Sequence, residues 1–482
     1  MHIKLTCFVN SLLILLFAFI YVCIKNFFYD ESTIFFLYSL IGCLENVLFL
    51  FAYRSITGYF LSFSVVFIEC LFIFHFGQIL LLGFFYSYLD NIKIVINLLG
   101  ADVLIDTYSI INTVFVSIIF GVLSSEMNIV QQWISSNIHG GEQYRIDKCC
   151  FNYQLLKRRA IQIIMITFPV KFFIDMYRVY LGIVEGLDAS FALKKICPDI
   201  FVSWGRLSMV GALLLLIAYR EKTKKQTALL ILIICYTLLT MAGGNRGEGV
   251  AFICVATLLY LNDKKIKKIY QLLMCVLGYL LCTFLSGVVY VRGHGGNLIS
   301  AFGAVISEQS VILNALREYG QTGYTAVCVA YANMNGHIPS MGESYYYGMA
   351  SVFPNIDASI GKYSHLSNFG FMLQESNYLS GEYFNIGGSI IGELLFNFGN
   401  YYSVIPAFIL GYFIGYISRE LHRRLRHDIS YRITYYLVPL VGIIYWIRSY
   451  FEEIVRWVVW GLIFCFMIHF FGSMLKKIRI KW

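Results

Sequence analysis

The sequence predicts an all-α integral membrane protein with about twelve transmembrane helices and a large outer loop. Three observations predict this class. Of the 482 residues, 59% are hydrophobic and only 13% are charged, whereas the surface of a soluble protein needs far more charged and polar groups. Apolar stretches long enough to cross about 30 Å of hydrocarbon recur along the whole chain. Lys and Arg cluster between these stretches, which is typical of cytoplasmic loops.

The apolar stretches define the predicted spans in order. The first follows Lys4 and is too long for the apolar core of a secretory signal peptide, so we interpret it as a retained helix. With the N-terminus in the cytoplasm, 24 of the 37 Lys and Arg residues lie in segments predicted to be cytoplasmic. This bias predicts that both termini are cytoplasmic. The predicted spans are 5–24, 33–53, 60–86, 108–126, 160–184, 200–219, 227–243, 248–261, 269–291, 401–418, 433–447 and 456–473.

The seventh and eighth spans are short and form a predicted hairpin. Lysine-rich segments flank 227–261 on both sides, so two helices must turn between them, and residues 243–249 include four glycines that allow a tight turn. The two arms barely cross a bilayer. We therefore expect Arg246 at or just below the outer surface; a re-entrant hairpin is the alternative and would place Arg246 deeper.

The spans divide the chain into four regions. Residues 292–400 form a predicted periplasmic loop that is too long to be a simple connector. Its short apolar runs at 298–316 and 387–398 are expected to lie in the membrane interface or to dip into it. We find no internal repeat, which weakens the case for an inverted-repeat transporter. The other regions are 1–226 with six helices, 227–291 with the short hairpin and the ninth span, and 401–482 with three helices.

Several arginines fall at one predicted depth near the outer face. A guanidinium group is always charged, and its planar fork of donors matches phosphate oxygens. One interpretation is a pocket for a lipid-linked diphosphate. In the other, each arginine reaches to the interface or pairs with a nearby acid, as Arg178 would with Asp175, or Arg456 with Glu452 or Glu453. The candidates for diphosphate binding are Arg178, Arg206, Arg246, Arg292 and Arg448, together with His294, which follows Arg292 by two positions and is either a second phosphate ligand or plain loop.

Other charged residues inside the spans have a simpler explanation. Lys171, Asp175 and Arg178 recur on one face of the fifth span, so mutual neutralisation is expected. Glu45, Glu69 and His75 are isolated in the second and third spans. For these we favour hydrogen bonds between helices over a path for protons.

The outer loop contains candidate acid and base groups. A hydroxyl group that attacks a substrate must lose a proton, and a carboxylate or an imidazole is the usual acceptor. The candidates for catalysis are His365, Glu375, Glu382 and Glu393. The 13 cysteines show no metal-ligand spacing, so no metal site is predicted. The basic clusters do not form one patch, which argues against a nucleic-acid partner.

Four segments resemble one family. They are Gly244-Asn245-Arg246-Gly247-Glu248, Val291-Arg292-Gly293, Gly387-Gly388-Ser389-Ile390-Ile391-Gly392-Glu393 with Asn397-Phe398-Gly399, and Arg448-Ser449. Together they resemble the Wzy-type polymerases of O-antigen and capsule repeat units, over residues 227–460.

The resemblance implies a metal-independent, inverting membrane glycosyltransferase of the bacterial inner membrane, similar in architecture to the O-antigen ligases. Such an enzyme moves a growing glycan from undecaprenyl diphosphate onto the non-reducing end of another lipid-linked repeat unit, and its arginines would bind the leaving diphosphate. The resemblance implies no cofactor, and the expected partners are the bilayer, a flippase and a chain-length regulator. The alternatives are a lipid-linked oligosaccharide flippase, an O-antigen ligase-like transferase, and a membrane-bound O-acyltransferase.

Overall fold

The protein is built from α-helices that pack side by side. The computed structural model describes residues 2–85, 99–127, 153–184, 199–243, 246–262, 278, 311–353, 367–375, 387–427 and 432–479, and these ranges contain no strand. The all-α prediction is confirmed. The helices are α1 His2–Cys23, α2 Glu31–Thr57, α3 Phe63–Phe84, α4 Ala101–Glu126, α5 Tyr153–Val184, α6 Asp199–Ala218, α7 Thr223–Ala242, α8 Arg246–Leu261, α9 Val311–Met334, α10 Glu343–Ala350, α11 Phe369–Glu375, α12 Ile390–Tyr402, α13 Val404–His427, α14 Ile433–Trp446 and α15 Phe451–Arg479.

Nine helices in the described ranges are long and apolar enough to cross a membrane, so this is a multi-pass membrane protein. They are α1 to α7, α13 and α15, and they match predicted spans one to seven, ten and twelve. The eighth and eleventh spans correspond to the shorter helices α8, with 16 residues, and α14, with 14 residues. The ninth span, 269–291, lies outside the described residues except for Gly278.

Short polar side chains set where several helices begin. Asp30 accepts a hydrogen bond from the Thr33 amide at 2.9 Å and so caps α2. In the same way Ser62 caps α3 and Ser389 caps α12. These caps satisfy amide donors that have no partner inside the first turn of a helix. The start of each helix is therefore fixed by its own local sequence.

Glycine contacts bring several helix backbones together. A Cβ atom on Gly121 of α4 would overlap the Phe408 carbonyl of α13, and one on Gly411 would overlap the Ile118 carbonyl. Likewise, a Cβ atom on Gly323 of α9 would overlap the His75 carbonyl of α3. Small residues allow this approach, which is the usual way in which membrane helices gain packing contacts.

Several buried polar groups in these helices are hydrogen-bonded to a neighbouring helix or its cap. Asn46 donates to Glu69 at 2.9 Å, and Asn112 donates to Glu45 at 3.2 Å. The His75 Nε2 atom lies 2.9 Å from the Ser389 hydroxyl. The prediction of interhelical hydrogen bonds at these positions is confirmed.

Part of the range 292–400 is packed into the helical bundle. α9 lies directly on α3 and also contacts α4 and α12, with residues 326–330 fully buried. Hydropathy did not predict this helix as a span because it carries Asn314, Arg317 and Glu318 within its first two turns. α12 occupies the run at 387–398 that was expected to lie in or dip into the membrane.

The helices α3, α8 and α13 share a level at one end of the bundle. Ser62, Asn262 and His422 line the same small cavity there. From that level α3 rises about 33 Å over its 22 residues, whereas α8 rises only about 24 Å over its 16 residues. The start of α8 at Arg246 therefore lies roughly 10 Å short of the Phe84 end of α3.

The turn after α14 also lies below the Phe84 end of α3. α14 starts beside the end of α13, where the Arg424 guanidinium lies 4.7 Å from the centre of the Tyr436 ring. With 14 residues it rises only about 21 Å. We use the term recess for the region around Gly243, Arg246 and the turn 447–450, which lies below the Phe84 end of α3.

Candidate functional site

A buried ionic network lies at the recess. Glu248, in the first turn of α8, accepts from the Lys171 ammonium at 3.0 Å and from the Arg206 guanidinium at 2.9 Å. Lys171 also pairs with Asp175 at 3.1 Å. All four side chains are at most 12% exposed, and their charges sum to zero. Mutual neutralisation was predicted for Lys171, Asp175 and Arg178; the ion pair of Lys171 and Asp175 is confirmed.

The helices bring these four side chains together through close backbone packing. Lys171 and Asp175 share one face of α5, four residues apart. Gly205 of α6 faces the backbone of Lys171, where a Cβ atom would lie 3.1 Å from its Cα atom, so the adjacent Arg206 can reach Glu248. The Arg206 guanidinium also lies 4.9 Å from the centre of the Trp457 ring, a cation–π contact that holds the group in place.

Arg246 and Arg178 flank this network. Arg246 begins α8, two residues before Glu248, and its guanidinium lies 3.8 Å from the Glu318 carboxylate of α9. Gly243, just before the turn, packs on the backbone of Val179, which brings Arg178 close enough to stabilise the negative charge of Glu248.

Arg448 lies in the second turn of the recess. A Cβ atom on Gly247 would lie 2.9 Å from the Tyr445 ring, so this turn contacts the start of α8. Arg448 is half-buried. Within the described part of the chain neither Arg448 nor Arg178 has a carboxylate within ion-pair distance. Arg178 does not pair with Asp175, whereas Arg456 does pair with Glu452 at 3.3 Å.

Glu393 lies beneath the turn that carries Arg448. The Trp446 indole and the Phe451 amide each donate to its Oε2 atom at 3.0 Å, and the Ser344 hydroxyl donates to Oε1 at 3.4 Å. The residue is fully buried. The side chain therefore connects α12 to the turn and to α10.

A second carboxylate supports the same turn from α15. Glu453 accepts hydrogen bonds from the Tyr445 hydroxyl at 2.9 Å and from the Ser449 hydroxyl at 2.8 Å. Glu393 and Glu453 thus hold opposite sides of the segment in which Arg448 lies.

The other candidates cannot be placed in the site. Arg292, His294, His365 and Glu382 lie outside the described residues. Glu375 ends α11, but its side chain is also outside them. The structure thus brings together Arg178, Arg206, Arg246 and Arg448 of the predicted arginines, with Glu393 beside Arg448.

Sequence reasoning missed several residues of this site. Glu248 was noted only as part of a glycine-rich turn, and Glu318 and Glu453 were not selected. A signal was present for Glu248, because an acid between a turn and an apolar helix needs a cation nearby. Nothing in a single sequence points to Glu318, since its partner Arg246 is 72 residues away.

The arrangement is suited to binding an anion. Guanidinium groups without a carboxylate partner can each donate two hydrogen bonds to phosphate or carboxylate oxygens. The neutral network beneath them holds the backbone of the first turn of α8 in place. Within the described ranges no group of three or more His, Cys, Asp or Glu side chains has the arrangement of a metal site.

The comparisons with known proteins identify one family. The family model described as O-antigen polysaccharide polymerase Wzy matches residues 6–478, nearly the whole chain. No curated protein and no solved structure matches.

Proposed function

Because the chain belongs to the Wzy family of O-antigen polysaccharide polymerases, we propose that it joins lipid-linked repeat units by glycosyl transfer. The growing glycan leaves undecaprenyl diphosphate and is added to the non-reducing end of another undecaprenyl-diphosphate-linked repeat. In this proposal the protein lies in the bacterial inner membrane with both termini in the cytoplasm, and the recess opens to the periplasm. A flippase supplies the repeat units, and a chain-length regulator acts on the product.

The observation that carries the proposal is the group of arginines at the recess. Arg178 and Arg448 have no carboxylate within ion-pair distance in the described ranges. Arg246 lies 3.8 Å from Glu318, and the adjacent Gly247 contacts the Tyr445 ring. The recess lies roughly 10 Å below the end of α3, which is a suitable depth for the phosphates of a lipid whose tail remains in the bilayer. Arg292 and His294 are proposed to complete this diphosphate site.

The proposed reaction has one bond formed and one broken. An acceptor hydroxyl attacks the anomeric carbon, the bond from that carbon to the phosphate oxygen breaks, and undecaprenyl diphosphate departs. The arginines stabilise the negative charge that develops on the departing phosphate, in the role that a divalent cation has in other enzymes. Attack from the opposite face inverts the anomeric centre.

The proton of the acceptor hydroxyl passes to a base from the range 292–400. His365, Glu375 and Glu382 remain the candidates, because an imidazole or a carboxylate within reach of the hydroxyl can accept the proton. Glu393 is less suited to this role, since donors from Trp446, Phe451 and Ser344 already occupy both of its oxygens.

A flippase and an O-antigen ligase-like transferase are the alternatives. A flippase would be expected to hold its cations in a central cavity that opens to both sides, whereas the arginines here gather around the recess, nearer the Phe84 end of α3 than its Phe63 end. A ligase-like enzyme would share the diphosphate site and differ in its acceptor. The polymer profile separates the three. Loss of a polymerase leaves single repeat units on the core, loss of a flippase leaves single units on the carrier and none on the core, and loss of a ligase leaves polymer on the carrier.

The test is complementation of a deletion strain. Deletion is expected to leave single capped repeats and no ladder, and the wild-type chain restores the ladder. Arg448→Ala and Arg448→Lys are both expected to fail, because a lysine cannot reproduce the fork of donors. Arg423→Ala is the matched control: this arginine is 58% exposed and pairs with Glu420. A full ladder from Arg448→Ala, with normal protein levels, contradicts the proposed site.

A further inference from the structure

The segment 387–393 docks against the turn that carries Arg448. A Cβ atom on Gly388 would overlap the backbone of Ser449. The two segments of backbone therefore touch at a position where only glycine fits. The amide of Ile390 donates to the Ile447 carbonyl at 3.4 Å. The glycine-rich start of α12 therefore fits directly under the turn.

Glu393 fastens this contact from one turn further along α12. Its Oε2 atom accepts from the Trp446 indole and from the Phe451 amide, both at 3.0 Å. These two donors lie on either side of Arg448 in the chain. The carboxylate is fully buried, and in the described ranges no cation lies within ion-pair distance of it. Its hydrogen bonds therefore serve to fix the turn.

The N-terminus of α12 is also hydrogen-bonded to α3, through Ser389 and His75. The His75 Nδ1 atom lies 3.0 Å from the Leu71 carbonyl, which can only accept, so Nδ1 carries the hydrogen. With the ring neutral in this apolar site, Nε2 accepts from the Ser389 hydroxyl at 2.9 Å. The Ser389 oxygen in turn accepts the Gly392 amide at 3.0 Å. α12 is thus held by α3 as well as by the turn 446–451.

We propose that Glu393 is a positioning residue, which docks the turn 446–451 on α12 and thereby directs the Arg448 guanidinium into the recess. The inference rests on the proposed function, in which Arg448 binds the diphosphate. Glu393 itself touches neither sugar nor phosphate. Its contribution passes through the turn to Arg448.

Two substitutions separate positioning from proton transfer. In Glu393→Gln the side-chain oxygen can still accept from Trp446 and Phe451, and the new amide can donate to the Ser344 hydroxyl. In Glu393→Ala both buried donors lose their acceptor. A positioning residue therefore tolerates glutamine but not alanine, whereas a catalytic base tolerates neither.

The experiment measures binding of undecaprenyl diphosphate by the purified full-length chain. Arg448→Ala and Glu393→Ala are each expected to weaken binding by about 10- to 100-fold, the range for losing charge-assisted hydrogen bonds. Glu393→Gln should stay within about threefold of wild type, and the double variant with both alanines should bind no more weakly than Arg448→Ala alone.

Hydrogen exchange of the turn gives a second readout that does not depend on ligand. The amide of Phe451 should exchange faster in Glu393→Ala and at the wild-type rate in Glu393→Gln. Additive losses in the double variant would overturn the positioning role. The positioning role would also be overturned if Glu393→Gln bound the ligand as wild type does but were inactive, because that result would identify Glu393 as a base. Unchanged binding by Arg448→Ala would instead reject the proposed diphosphate site, and the exchange data would still report whether Glu393 holds the turn.

Discussion

Replacing Glu248 by glutamine tests whether the ionic network supports the recess. The side chain keeps its shape but loses its charge, so Lys171 and Arg206 retain only Asp175 as a counter-ion. Lys171 and Arg206 are 7% and 12% exposed, and water can therefore do little to stabilise the excess positive charge. Removing one partner of a buried ion pair costs about 3–5 kcal/mol, and we expect a destabilisation of that order.

Thermal unfolding in detergent, followed by intrinsic fluorescence, measures this effect. Glu248→Gln should lower the unfolding midpoint by several degrees relative to wild type. Asp106→Asn is the matched control, because Asp106 pairs with Lys25 and the two side chains are 34% and 40% exposed, and an exposed pair contributes at most about 1 kcal/mol.

A compensating substitution makes this test sharper. Lys171→Gln combined with Glu248→Gln restores a neutral network of Arg206 and Asp175, so the double variant should be more stable than Glu248→Gln alone. The reasoning is refuted if Glu248→Gln unfolds at the wild-type temperature, or if the second substitution adds to the loss.

Three further predictions follow from other parts of the structure. Gly320→Val should separate α9 from α3, because even a Cβ atom at this position would overlap the backbone of Gln78, and it should lower the free energy of unfolding by about 1–3 kcal/mol. Gly387→Val is the control: a Cβ atom there meets no other atom, so the unfolding midpoint should not change. A labelled cysteine at Arg424 should react only from the cytoplasm and one at the exposed Tyr346 only from outside, and the reverse pattern would invert the proposed topology. Burial lowers the pKa of the His337 imidazole, so the unfolded chain binds more protons. The free energy of unfolding should therefore fall as the pH drops below about 6.5, and His337→Gln should reduce this dependence. Equal slopes of stability against pH in the wild type and the variant would contradict the prediction.

Hydropathy and charge were sufficient to predict most of the fold. A membrane-spanning helix forms its backbone hydrogen bonds within its own segment, and it needs a continuous apolar stretch to cross the bilayer. Each of the nine long apolar helices in the described ranges can therefore be recognised from its own local sequence. α9 was not predicted because Asn314, Arg317 and Glu318 near its start lower its hydropathy and because its packing depends on Gly320 and Gly323 meeting α3. Contact between distant glycines leaves no periodic signal in one sequence.

The candidate site was predicted in part for the same reason. Arg246 and Arg448 stand out in the sequence because each lies at a short connection between two apolar stretches. The role of Glu248 depends on Lys171, 77 residues earlier, and on Arg206, 42 residues earlier. Pairings at such separations are produced by helix packing and cannot be read from residue spacing.

Turnover by the purified protein tests the central claim most directly. A synthetic undecaprenyl-diphosphate-linked repeat unit is incubated with the full-length chain in detergent and chelator, and the products are separated by length. The account predicts a ladder from the wild type and no extension by Arg246→Ala, although this variant accumulates normally in the membrane. Wild-type extension by Arg246→Ala, or a strict requirement for added divalent metal, would contradict it.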